Sequence, residues 1–236
     1  AEPSVPSLLQ KVWDEHLQHT RLMLVLCGSH IGMMEEEVLA YRAPLFGRRT
    51  GQIRLGPLPP LAVAEFFPEY TVDERIETYA ILGGTPAYLR QFDRRMSVAD
   101  NIAQRILDPG SYLFGEPPLL LREELRTPRS YFAILQAIAQ GRTQLNEIVQ
   151  ATGLERQPVS RYLGILQDLE LVDRRVPVTE TQPDKSRKGI YRIREPFLRF
   201  WFRYVAPHVS TLEAEQTEAV ARLVTADLAR FVGMAF

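Results

Sequence analysis

From the amino end, apolar positions first recur with helical spacing and then run together. Leu8, Leu9, Val12, Trp13 and Leu17 mark one helical face across residues 5–20. They lead into Leu22–Leu26, a short apolar run suited to a buried parallel strand, which ends at Cys27-Gly28-Ser29. A short helix is predicted over Ile31–Leu39, a loop from Pro44 to Gly51 and a second short strand over Gln52–Leu55. Pro57, Pro59 and Pro60 then punctuate the chain and set a first boundary. From Leu61 to Arg126 the pattern is helical, with turns marked at Pro68, Gly83-Gly84-Thr85-Pro86, Asp108-Pro109-Gly110 and Pro117-Pro118. About four short helices packed as a small bundle would satisfy it.

The next segment carries the most specific pattern. Tyr131, Ile134, Leu135 and Ile138 share a helical face, and Gly141 stops that helix. Leu145, Ile148 and Val149 mark a second, short helix after Thr143 as N-cap, closing at Thr152-Gly153. A third, Gln157–Leu169, turns Val159, Tyr162, Leu163, Leu166 and Leu169 inward and leaves Gln157, Ser160, Arg161, Gly164 and Gln167 outward. Two strands follow, Leu171–Val178 and Gly189–Ile193, joined by the polar stretch Thr179–Lys188. Three helices and a hairpin in this order predict a winged helix-turn-helix over residues 128–194, a fold that holds DNA or a partner protein. The candidate DNA-binding residues are Arg156, Gln157, Ser160 and Arg161 on the third helix and Lys185, Arg187 and Lys188 on the wing. Glu155, Asp168 and Asp184 lie among them and dilute the field, so packing against neighbouring segments stands beside DNA contact as a reading.

Composition narrows the rest. The 236 residues are 45% hydrophobic and 24% charged, an ordinary globular balance, and the formal net charge of -1 gives no global basic field. A single cysteine, Cys27, excludes an intramolecular disulfide, and His16, His19, His30 and His208 show no ligand spacing beside it, so no metal site is expected. Neither a membrane span nor an export signal is present in the pattern, and a reducing cytoplasm fits best. Leu22–Leu26 lacks flanking strands and Phe236 ends an apolar run, so the chain reads as a fragment. Phe197, Phe200, Trp201, Phe202 and Tyr204 are read as core rather than as a platform for bases. Glu213, Glu215, Glu218 and Asp227 are too scattered for a nuclease metal site.

Five stretches taken together carry a resemblance: LVLCGS at Leu24–Ser29, PLFGRRT at Pro44–Thr50, GGTPAYL at Gly83–Leu89, the three helices with their hairpin, and YRIREPFLRFWFRY at Tyr191–Tyr204. In this order they resemble the archaeal-type P-loop ATPases, relatives of the STAND branch of the AAA+ class that carry a C-terminal nuclease-like domain. The resemblance implies a mainly α fold with small β content, in four parts. Residues 1–58 would be the C-terminal remnant of an α/β P-loop domain, 59–127 a helical lid, 128–194 the winged helix and 195–236 the start of a C-terminal α/β domain. It implies Ser29 as the sensor hydroxyl near the nucleotide, although a serine there also serves as a plain helix cap. Arg49 first, and Arg48 second, would neutralise phosphate charge, or form a solvated pair guarding a loop. Gly83, Gly84 and Pro86 match the lid turn whose proline packs on adenine, and would equally make a helix–helix turn.

The departures matter as much. No Gly-x-x-x-x-Gly-Lys-Ser/Thr occurs and no apolar strand ends in Asp-Glu, so these residues are not expected to hydrolyse ATP alone. ATP and magnesium are expected in the intact parent and no tightly bound cofactor here. The partners implied are ATP, duplex DNA or a protein on the winged helix, and a second copy in a homo-oligomer. A non-enzymatic winged-helix DNA-binding regulator is the alternative reading.

Overall fold

The computed structural model describes residues 4–28, 34, 40–125, 128–180, 182, 186 and 188–234. Among the described residues the chain is mainly α-helical with one small two-stranded sheet, and it divides into two compact units, Ala1–Leu55 and Gly56–Phe236.

In the first unit, α1 (Ser4–Val12) continues through a wider turn, Trp13–Leu17, that is closed by Gln18 N–H donating to the Trp13 carbonyl at 2.9 Å. The strands expected at Leu22–Leu26 and Gln52–Leu55 are not formed: both stretches are irregular and joined to no sheet. Met23 is 86% exposed and Leu55 90%. A strand exists only through a neighbour's N–H and C=O groups, and among the described residues no neighbour is paired with either stretch. The expected helix over residues 31–39 falls outside the described residues except for Met34.

The second unit opens with a turn of 3₁₀ helix, Pro60–Ala62, then α2 (Val63–Phe66) and α3 (Val72–Leu82). Thr71 and Glu74 start α3 as a reciprocal capping box. Next come α4 (Pro86–Leu89), α5 (Val98–Asn101) with its continuation Ile102–Ile106, and α6 (Tyr112–Glu124). Pro117 and Pro118, expected to mark a turn, lie inside α6. Pro118 has no N–H to give the Phe114 carbonyl one turn earlier, and that carbonyl accepts instead from Trp201 Nε1 at 2.9 Å.

α7 (Pro128–Ala139), α8 (Leu145–Thr152) and α9 (Arg156–Asp168) follow, then β1 (Val172–Arg175) and β2 (Ile190–Ile193). The strands pair antiparallel with Val172 opposite Ile193 and Arg175 opposite Ile190. α10 (Pro196–Phe200) runs on through Trp201–Val205, and α11 (Val209–Glu213) and α12 (Thr217–Gly233) end the described chain. One continuous hydrophobic core reaches from Val63 to Phe231. Phe197, Phe200, Trp201, Phe202 and Tyr204 sit inside it, as the apolar pattern predicted.

Candidate functional site

The surface of α9 is built from its turn. Gly153 adopts φ 67° and ψ 8°, a left-handed conformation that a side chain resists, and its N–H closes α8 on the Val149 carbonyl at 3.1 Å. At the other end of α8 the cap is Gln144 rather than Thr143. Glu147 reaches back to accept from both Thr143 N–H at 2.9 Å and Gln144 N–H at 3.0 Å. Thr143 is already engaged, because its carbonyl accepts from Tyr191 N–H on β2 at 2.8 Å. That bond adds a backbone contact at the edge of the hairpin, one that sequence spacing does not announce.

Val159, Leu163 and Leu166 anchor α9 in the core with no exposed surface, so Arg156, Gln157, Ser160 and Arg161 are turned to solvent. Arg156 is held in place by Asn146 Oδ1 at 2.5 Å, and Arg161 lies over the Tyr162 ring at 5.2 Å. On the hairpin, Lys188 Nζ meets Glu180 Oε1 at 2.7 Å. Hydrogen bonding within that pair raises the lysine and lowers the glutamate from their ordinary values, so the lysine's charge is already answered locally. Lys185 and Arg187 lie outside the described residues.

The Gly-Gly-Thr-Pro turn is shaped by Leu58. Leu58 N–H donates to the Gly84 carbonyl at 2.8 Å, and a Cβ on Gly84 would stand 1.9 Å from the Leu58 carbonyl oxygen. The close approach this glycine permits is therefore to the protein's own backbone. A Cβ on Gly83 would meet Glu195 Oε1 and Pro196 Cδ, each at 3.1 Å, so the start of α10 leans on the same turn. Glu195 Oε2 accepts from Leu198 N–H at 2.8 Å, and burial pushes this carboxyl up to about 7. Pro86, at the first position of α4, keeps its ring exposed.

In the first unit Arg48 forms a two-pronged pair with Asp14, both contacts at 2.7 Å, and also donates to the Pro44 carbonyl at 3.0 Å. Its fork is spent on holding the loop. Arg49 is exposed, with one bond to Gln52 Oε1 at 2.7 Å, and remains the freer of the two. Ser29 lies outside the described residues. No group of three or more metal-ligating side chains occurs among the described residues. No described helix is long and apolar enough to cross a membrane.

No family model matches this chain, and no solved structure does. It is 36% identical over 236 residues to an uncharacterized protein, MJECL04, of Methanocaldococcus jannaschii, an alignment covering 99% of this chain and 52% of the relative. The chain thus spans about half the length of the curated relative it matches.

Proposed function

We propose that these residues are the sensor, lid, winged-helix and early C-terminal part of an AAA+/STAND-type ATPase switch. In it a helical lid couples nucleotide state to a winged helix that binds DNA or protein. The observation that carries the reading is the run α7, α8, left-handed Gly153, α9 and hairpin, with the polar face of α9 left open. The exposed ring of Pro86 beside the Gly83-Gly84 turn supports the lid assignment, and the open Arg49 supports the arginine loop.

In the full-length protein ATP and magnesium would be held largely by segments other than these, which carry no phosphate-cradling Gly-Lys-Ser/Thr. Arg49→Ala should lower ATP turnover at least about tenfold. Pro86→Ala should weaken nucleotide binding while Arg48→Ala costs mainly stability. Unchanged hydrolysis in the Arg49 and Pro86 variants would sink the assignment.

The exposed Arg156, Gln157, Ser160 and Arg161 also favour a second reading, a DNA-binding regulator without an enzymatic role. Fluorescence anisotropy on duplex DNA separates the two. A regulator binds without ATP, and each of Arg156→Ala and Arg161→Ala reduces its salt slope by about one.

A further inference from the structure

Away from the face of α9, a second cationic feature forms where the hairpin, α10 and the end of α12 meet. The strand register sets Arg175 opposite Ile190 and Asp173 opposite Arg192, which places Arg175 and Arg192 on one face of the sheet. Arg192 donates to the Met234 carbonyl at the end of α12. Three residues earlier on that chain, the Phe231 ring carries the Arg199 guanidinium at 5.2 Å. Arg192 and Arg199 are therefore both held at the end of α12, and Arg175 shares the sheet face of Arg192.

Three like charges brought together need an opposing charge. Asp173 stands cross-strand from Arg192, and the Glu195 carboxyl, one turn before Arg199, is engaged in capping α10. Arg199 Nε is buried with no hydrogen-bond acceptor among the described residues, and Arg175 is exposed and unpaired among them. Burial first, and then Arg192 and Arg175, bring the Arg199 guanidinium down to about 10 despite Glu195 nearby.

We propose that Arg175, Arg192 and Arg199 form a binding site for an oxyanion of the phosphate class, distinct from the α9 surface and from the lid turn. Planar guanidinium forks gathered at neighbouring positions suit a tetrahedral anion with several acceptor oxygens. The anion adds negative charge beyond what Asp173 and Glu195 provide to the three arginines, so its binding stabilises the fold.

The test compares unfolding midpoints of the whole chain in sodium phosphate and in sodium chloride at matched ionic strength. Phosphate at about ten times its dissociation constant should raise the midpoint by roughly 3–5 °C over chloride. Arg175→Ala and Arg199→Met should each abolish the difference. Arg199→Met, which exchanges a desolvated charge for an apolar chain of similar length, should also raise the midpoint in chloride. A duplex DNA arm distinguishes the source of the phosphate. If a nucleic-acid backbone presents it, free phosphate gives no extra shift, and Arg175→Ala lowers the salt slope of DNA binding by about one. The proposal is overturned if phosphate acts no differently from chloride and the DNA slope is unchanged in Arg175→Ala. It is equally overturned if the phosphate response survives both substitutions.

Discussion

Gly84 illustrates how one residue can serve two readings that only geometry separates. A glycine before a threonine and proline at a helix start suits a backbone that must lie close to a ligand, yet here the space is filled by Leu58. Gly84→Ala forces a methyl group to within 1.9 Å of the Leu58 oxygen and must displace one side of the turn. The expected cost is about 3 kcal/mol in a denaturant titration. Pro86, whose ring is exposed, has no such packing duty, so Pro86→Ala should leave the midpoint within about 0.5 kcal/mol of the parent value. A Gly84→Ala protein as stable as the parent would mean the turn is open there. The loop at Arg48 and Arg49 follows the same logic: Arg48 is bound by Asp14 and Pro44, whereas Arg49 is exposed and meets Gln52 Oε1 among the described residues.

At the scale of elements, α10 begins at a titratable cap. Glu195 holds Leu198 N–H, but burial places its carboxyl at about 7 against an ordinary 4.5. Between those values the unfolded chain has released this proton and the folded chain keeps it, so stability falls as pH rises from about 4.5 to about 7 and levels off above. Glu195→Gln keeps an oxygen for the cap and removes the titration. Its unfolding free energy should lack this decline, leaving it more stable than the parent above pH 7 by an amount of order 3 kcal/mol. Parallel pH profiles for the two proteins would refute the burial of this group. α7, α8 and α9 were legible in the sequence because the core they face imposes its own period on Ile134, Leu135, Ile148, Val159, Leu163 and Leu166. α6 was not, since Pro117-Pro118 reads as a turn and the donor that replaces the lost bond, Trp201, is 87 residues away. The apolar run Leu22–Leu26 has the composition of a strand, but pairing is a property of two segments and the sequence of one cannot supply it. The cluster of Arg175, Arg192 and Arg199 is not legible in the sequence for a related reason. Its members come from β1, β2 and α10, and only the hairpin register and α12 bring them together.

At the scale of the second unit, the segments that sequence punctuation separates are tied through α10 and its continuation. Trp201 Nε1 reaches Phe114 on α6, Phe132 on α7 meets the Phe202 ring at 5.2 Å, and Phe197 meets Tyr88 on α4 at 4.8 Å. On α12, Asp227 accepts from Arg203 at 2.5 Å and from Tyr204 at 2.8 Å, locking the last long helix to the same layer. This unit therefore has little freedom to bend between α3–α6 and α7–α9, because bending would open a core shared from Val63 to Phe231. Under the proposed function the lid and winged helix then move as one body, and nucleotide state is read as a displacement of that body rather than as a change within it. Calorimetry tests this directly. The unit Gly56–Phe236 should unfold in a single transition. Phe202→Ala, which empties a fully buried site between α7 and α10, should lower that transition as a whole by about 4 kcal/mol. If the variant instead splits the trace, so that α3–α6 melt apart from α7–β2, the shared core does not act as one and the displacement mechanism loses its basis.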